Sequence, residues 1–275
     1  MGPDHDLRPE WIEREAVRDL FRAVPAELAV RHGIETAELG GATCVVVSSL
    51  PDVSVLDRAI GLGLERAPAP GDVEAIASFH AERGASAYVH VAPRAARRGT
   101  TALLRAAGFD DAYAWMKFTA RPGAVIAGAS PTLLPGLQVA EAGADDAELC
   151  GLLVSESFAM PPWTAEWLAA TVGRPGWLWL VARDDGDPAG VAASYTAEGV
   201  AWLGLGGVRA AHRGKGIQRV LLRARIEAAA AAGCELVVTE TGERAPDTPS
   251  FSYRNILAAG LEERYLRPNL VRRPR

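Results

Sequence analysis

Apolar residues recur at helical spacing over residues 9–22, 71–83 and 100–107, which predicts a helix at each. Between them, short apolar or alternating runs at 33–38, 43–49, 57–64, 87–92 and 113–118 predict strands. The first half therefore has the order α-β-β-β-α-β-α-β. The second half follows the same plan. It opens with a strand at 137–141 and helices at 145–157 and 164–172, followed by strands at 177–183, 189–196 and 200–208, with Asp184-Asp185-Gly186-Asp187 and Ala197-Glu198-Gly199 as turns. From 214 to 232 the pattern is strongly helical: Ile217, Val220, Leu221, Ala224 and Ala228 share one face, and Gly233 stands where a capping glycine belongs. A strand at 235–240, a helix at 252–259 and a strand at 263–266 complete the half.

The stretch 121–136 is rich in Pro, Gly and Ala without periodicity, so it is the expected linker between a domain at 1–120 and one at 137–275. Residues 104–113 (LRAAGFDDAY) align with 256–265 (ILAAGLEERY), and with the shared element order this points to an internal duplication.

At 275 residues the chain is long enough for two cores, and 49% hydrophobic with 23% charged residues fits an ordinary globular protein. The net charge of -5 argues against nucleic acid as a partner, with the basic run 264–275 expected to be a solvated end. Cys44, Cys150 and Cys234 are far apart and the five histidines show no ligand spacing, so no metal and no disulfide framework is expected. Neither a signal peptide nor a membrane span is expected, which suits a cytoplasmic protein, monomer or homodimer.

Candidate chemistry concentrates where the strand at 200–208 runs into the helix after it. Gly206, Gly207 and Val208 are followed by Arg213, Gly214, Lys215, Gly216, Ile217 and Gln218. Glycines allow close backbone approach, the first helical turn offers unpaired N–H groups and a positive dipole end, and two cations stand beside them: an anion site suited to a diphosphate. Neither the Walker nor the dinucleotide-binding glycine spacing is met.

This segment resembles the acetyl-CoA loop of the GNAT superfamily, signature Arg/Gln-x-x-Gly-x-Gly/Ala, with Arg213, Gly216 and Gln218 at the signature positions and Gln218 departing from the usual small residue. The resemblance covers about 137–272 and includes Ser252-Tyr253-Arg254-Asn255 followed by Gly260-Leu261. It implies an α/β fold of two tandem GNAT-like mixed-sheet domains, acetyl-CoA as cosubstrate without a metal, Ser252 and Asn255 on the pantetheine arm, and the backbone of Gly206, Gly207 and Val208 on the thioester and pantetheine amides. The N-terminal domain resembles a degenerate copy: Pro68, Pro70, Glu65 and Asp72 stand where phosphate-binding amides belong, and Leu103 faces Asn255 in the repeat.

Direct attack of an amine on a thioester needs a base and a proton for the departing thiolate. The strand at 200–208 has no ionisable side chain before Arg209, so Glu240 on the next strand is the candidate base, and Tyr253 the candidate acid, since Ile256 fills the family's tyrosine position. The implied activity is N-acetyl transfer to a primary amine of a small molecule. Two other readings stay open. One is a tandem acetyltransferase like mycothiol synthase, which the layout also resembles; the other is a non-catalytic acyl-CoA sensor.

Overall fold

The computed structural model describes residues 7–127, 135–244 and 250–274. The chain packs as two compact units, Met1–Lys117 with Arg264–Arg275, and Phe118–Glu263.

In the first unit, α1 (Arg8–Arg22) and α2 (Ala26–His32) precede β1 (Ile34–Leu39), β2 (Ala42–Val47) and the short β3 (Arg58–Ile60). Then come α3 (Pro70–Ala81), β4 (Ala87–His90), α4 (Pro93–Arg97), α5 (Thr100–Ala106) and β5 (Asp110–Ala120), whose residues up to Lys117 belong to this unit. The second unit contains α6 (Pro122–Ile126), β6 (Leu137–Glu141), α7 (Ala147–Ser157), α8 (Thr164–Ala169), β7 (Trp177–Asp184), β8 (Asp187–Ala197), β9 (Val200–Val208), α9 (Ile217–Ala231), β10 (Leu236–Gly242) and α10 (Phe251–Ala258). The last strand, β11 (Glu262–Arg272), belongs to the first unit from Arg264 onward.

The strand order is β1-β2-β3-β4-β11-β5 in the first unit and β10-β9-β8-β7-β6 in the second. Both sheets are mixed: β3 with β4 and β9 with β10 are parallel, the other registered pairs antiparallel. The α/β element order is the expected one apart from the additional short helices α2, α4 and α6.

The repeat is visible in the hydrogen bonds. After α5, Gly108 (φ 80°) ends the helix with Phe109 N–H donating to Leu104 O and Gly108 N–H to Arg105 O. After α10, Gly260 (φ 89°) does the same, with Leu261 N–H donating to Ile256 O and Gly260 N–H to Leu257 O. Both are Schellman caps, in which the left-handed glycine lets two amides turn back onto the last carbonyls. Phe109 and Leu261, the residues after each glycine, are buried.

Several expectations are corrected. Residues 264–275 are not a solvated end: they run into β11, which lies between β4 and β5, pairing Asn269 with His90 and Leu270 with Val89. Arg267 is fully buried because α1 supplies Glu10 and Glu13 as partners, at 2.8 Å for the Arg267 Nη1 to Glu10 contact. Within the expected linker, Pro122–Ile126 is helical, and Arg223 donates to Val125 O at 2.8 Å and Ile126 O at 2.9 Å; residues 128–134 lie outside the described residues. The expected strand at 57–64 shrinks to Arg58–Ile60, since Gly61 and Gly63 take positive φ. Finally, the helix expected from 214 starts at Ile217, because Gly214 (φ 81°) and Gly216 (φ 76°) are left-handed and remain in the loop.

Among the described residues no helix is long and apolar enough to cross a membrane.

Candidate functional site

The site is built on β9, the loop after it and α9. One face of the second unit's sheet packs on α9 through Leu180, Ala182, Ala189, Ala192, Ile217, Val220 and Leu221. Strand alternation puts Trp177, Trp179 and Trp202 on the opposite face. There Trp179 is buried and its Nε1 donates to Thr171 Oγ1 at 3.1 Å, so the tryptophans are in the first place core.

Strand β9 is irregular where the sequence is richest in glycine. Gly204 pairs with Ala193 and Gly207 with Val191, so Leu205 and Gly206 together face Ala192: a β-bulge. Leu205 has φ 48°, a conformation rarely taken by a bulky side chain. A Cβ on Gly204 would overlap the Trp202 ring and one on Gly207 would overlap the Ser157 side chain, which explains glycine at both positions.

Beyond β9, Arg213 Nε donates back to Val208 O at 3.2 Å, closing the loop at its base. Lys215 Nζ donates to Asp184 Oδ2 at 2.6 Å, and His212 Nδ1 lies 3.0 Å from the same oxygen. Hydrogen bonds from Lys215 and His212 hold the Asp184 carboxyl below its ordinary value. Lys215 thus stands at the loop as half of an ion pair, while Arg213 is exposed. Among the described residues, no backbone N–H from Gly214 to Gln218 donates a hydrogen bond within the protein; the first used amides are those of Arg219 and Val220, both to Gly216 O. These unused donors point out of the start of a 15-residue helix, where the dipole is positive.

Three residues read from two separate motifs meet here. Gln218 Nε2 donates to Ser252 Oγ at 3.2 Å and Asn255 Nδ2 donates to Gln218 Oε1 at 2.7 Å. The departure at Gln218 from a small residue is therefore a side chain that ties the first turn of α9 to α10. Tyr253, between Ser252 and Asn255, is not part of this group. It is buried, its hydroxyl donates to Glu263 at 2.6 Å, its ring packs edge-on to Phe118, and the Arg244 guanidinium covers it. Burial, with Glu263 adding to it, pushes the Tyr253 hydroxyl up to about 12. Glu240, near the end of β10, accepts from Trp202 Nε1 at 2.8 Å, which sets its carboxylate beside the indole that lies over Gly204.

Sequence reasoning missed Arg225. Its Nη1 donates to Ala193 O at 2.9 Å and Gly204 O at 3.0 Å, and burial pushes the guanidinium down to about 9. A signal was present, since Arg225 lies one turn after Leu221 and so on the sheet-facing side of the helix.

In β9 a bulged strand runs into a glycine loop and a helix with an open N-terminus, and residues 152–248, which contain this segment, match the Acetyltransferase (GNAT) family. The chain as a whole shares its fold with solved proteins of that kind. A GCN5-related N-acetyltransferase from Kribbella flavida is 20% identical at a TM-score of 0.61, covering 93% of this chain and 95% of that one. One from Sphaerobacter thermophilus is 17% identical at 0.60, covering 100% and 95%. A tandem GNAT protein from the clavulanic acid biosynthesis pathway is 18% identical at 0.60, covering 96% and 94%. No curated protein matches the sequence.

Proposed function

We propose that the second unit binds acetyl-CoA and transfers the acetyl group to a primary amine of a small molecule by direct attack. The observation that carries this reading is the run of unused N–H groups from Gly214 to Gln218 at the start of α9. In it, those amides and Arg213 take the diphosphate, Lys215 adds charge while paired with Asp184, and Ile217 anchors the turn in the core. Ser252 and Asn255 take the pantetheine arm, and the backbone of Gly206, Gly207 and Val208 takes the pantetheine amides and the thioester. Support comes from the GNAT family match over the same segment and from the bulge, which turns strand amides away from regular pairing.

The chemistry follows. The amine nitrogen attacks the thioester carbonyl carbon, the C–S bond breaks, and the amine gives up a proton as the amide forms. Glu240 is the assigned base. Glu240→Gln is expected to lower kcat about 10²-fold or more; turnover equal to that of the native protein removes the assignment. Tyr253 is the assigned proton donor to the thiolate, which requires its hydroxyl to leave Glu263. Turnover in Tyr253→Phe equal to that of the native protein takes Tyr253 out of the mechanism.

In the first unit the corresponding helix start is closed. Pro70 has no N–H, and the Asp72 carboxylate accepts from Ala69 N–H at 2.8 Å. This supports a degenerate first domain without acyl-CoA. The same reading assigns a cytoplasmic monomer or homodimer with no nucleic acid, membrane or metal. The placement of the Tyr253 hydroxyl on Glu263 favours a second reading, a non-catalytic acyl-CoA sensor. Calorimetry with CoA and acetyl-CoA, followed by thiol release over a panel of amines, tests both. Absence of binding ends both readings, and binding without turnover on any amine selects the sensor.

A further inference from the structure

About two turns beyond the unused amides, α9 carries a buried cation. Arg225 is 4% exposed, and no carboxylate among the described residues lies within ion-pair distance of it. Its guanidinium is held by carbonyl oxygens: those of Ala193 and Gly204 through Nη1, and that of Leu221 through Nε at 3.2 Å. A charge taken out of water and left to dipoles is costly, and a methionine would fill the space without that cost.

What Arg225 touches explains its presence. Ala193 and Gly204 are the regular pair at which the β8–β9 ladder stops, immediately before the bulge at Leu205 and Gly206. Nη2 lies 3.5 Å from where a Cβ on Gly206 would stand. Leu205, at positive φ, is strained, and such conformations persist only where the surroundings hold them.

We infer that Arg225 is a positioning residue for acyl transfer: it clamps the strained Leu205–Gly206 bulge of β9 to α9, so that the strand assigned to the thioester and the helix end assigned to the diphosphate keep a fixed separation. The inference rests on the acyl-CoA reading above for its catalytic consequence, while the clamp itself is a property of the fold.

Two measurements on the full chain test it. By hydrogen exchange, Arg225→Met is expected to speed exchange in residues 203–208 about tenfold or more while leaving 236–242 of β10 unchanged; equal protection in both segments overturns the clamp whatever the ligand. By kinetics with acetyl-CoA and an acceptor amine, Arg225→Met is expected to lower kcat about 10- to 100-fold with the CoA Kd within about threefold, since misplacement by an ångström has that effect. Arg225→Lys, which keeps a donor and a charge, is expected to fall between, and carries the test should the methionine variant not fold. Adding Leu205→Gly, which removes the strain, is expected to restore part of the loss. Native kcat in both Arg225 variants, or a loss of kcat matched by an equal loss of CoA affinity, overturns the positioning role. A native protein that binds no CoA ends the acyl-CoA reading and the catalytic role together, whereas a native protein that turns over beside fully active Arg225 variants ends this inference alone.

Discussion

Glu13→Ala is expected to lower the unfolding free energy by about 3–5 kcal/mol, read as a fall in the urea midpoint, because it removes the one carboxylate shared by three buried cations. Glu13 is fully buried on α1, and accepts from Arg58 Nη1 at 3.0 Å, from Lys117 Nζ at 2.6 Å and from both terminal nitrogens of Arg267. Without it, Arg267 retains Glu10, but Lys117 is left in the interior without the carboxylate it touches. Arg267→Met is expected to cost less, since Glu13 keeps Arg58 and Lys117. A midpoint for Glu13→Ala within error of the native value would show that the cluster does not form. The same cluster sets the response to acid. Burial pushes the Glu13 carboxyl up, but Arg267, Lys117 and Arg58 together outweigh it and hold the group well below its ordinary value. Its stabilising contribution is thus complete above the unfolded carboxylate value, about 4.3, and is lost as pH falls toward the depressed one. His90 acts earlier. Burial, then Arg267 and Arg58, push its pKa well down, so it stays neutral when folded and charges near about pH 6.5 once unfolded. Stability is expected to decline from about pH 6.5 downward and more steeply below about 4.3.

Arg213→Glu is expected to weaken CoA binding by about 2–3 kcal/mol, roughly 30- to 150-fold in Kd by calorimetry, with little change in the melting midpoint. The native side chain is exposed and among the described residues makes one hydrogen bond, to Val208 O, so the fold loses little. A carboxylate beside the amides of Gly214 to Gln218 would instead compete for them and repel a diphosphate. Raising salt should shrink the difference between the two proteins, because the site faces solvent. Equal CoA affinity in the variant would place the diphosphate elsewhere.

Much of this architecture was legible because it is local. Strands Leu137–Glu141 and Val200–Val208 fall where alternation and turns put them, and α9 buries Ile217, Val220 and Leu221 as its periodicity requires. The glycine loop was read from its own residues and Ser252 and Asn255 from the family resemblance, and Gln218 hydrogen-bonds with both. What was not legible depends on partners distant in sequence. Charged residues such as Lys117 and Arg267 carry no local mark of burial; their interior places follow from carboxylates on α1, 104 and 257 residues away in sequence. Helices as short as Ala26–His32 or Pro93–Arg97 span too few turns for a period to show. The bulge hides in Gly204-Leu205-Gly206-Gly207, a run that pairs regularly as far as Gly204 and then does not.

The position of β11 between β4 and β5 has a consequence for synthesis. A ribosome makes the other strands of the first unit early but delivers Arg267, Asn269 and Leu270 only after the whole of the second, so Glu13, which has Arg58 and Lys117 from early on, waits through most of translation for Arg267. The usual order, in which the leading domain matures first, is thereby inverted. A nascent chain halted between β5 and residue 264 would hold a gap beside β4, an unpaired edge open to chaperones and to other copies of itself.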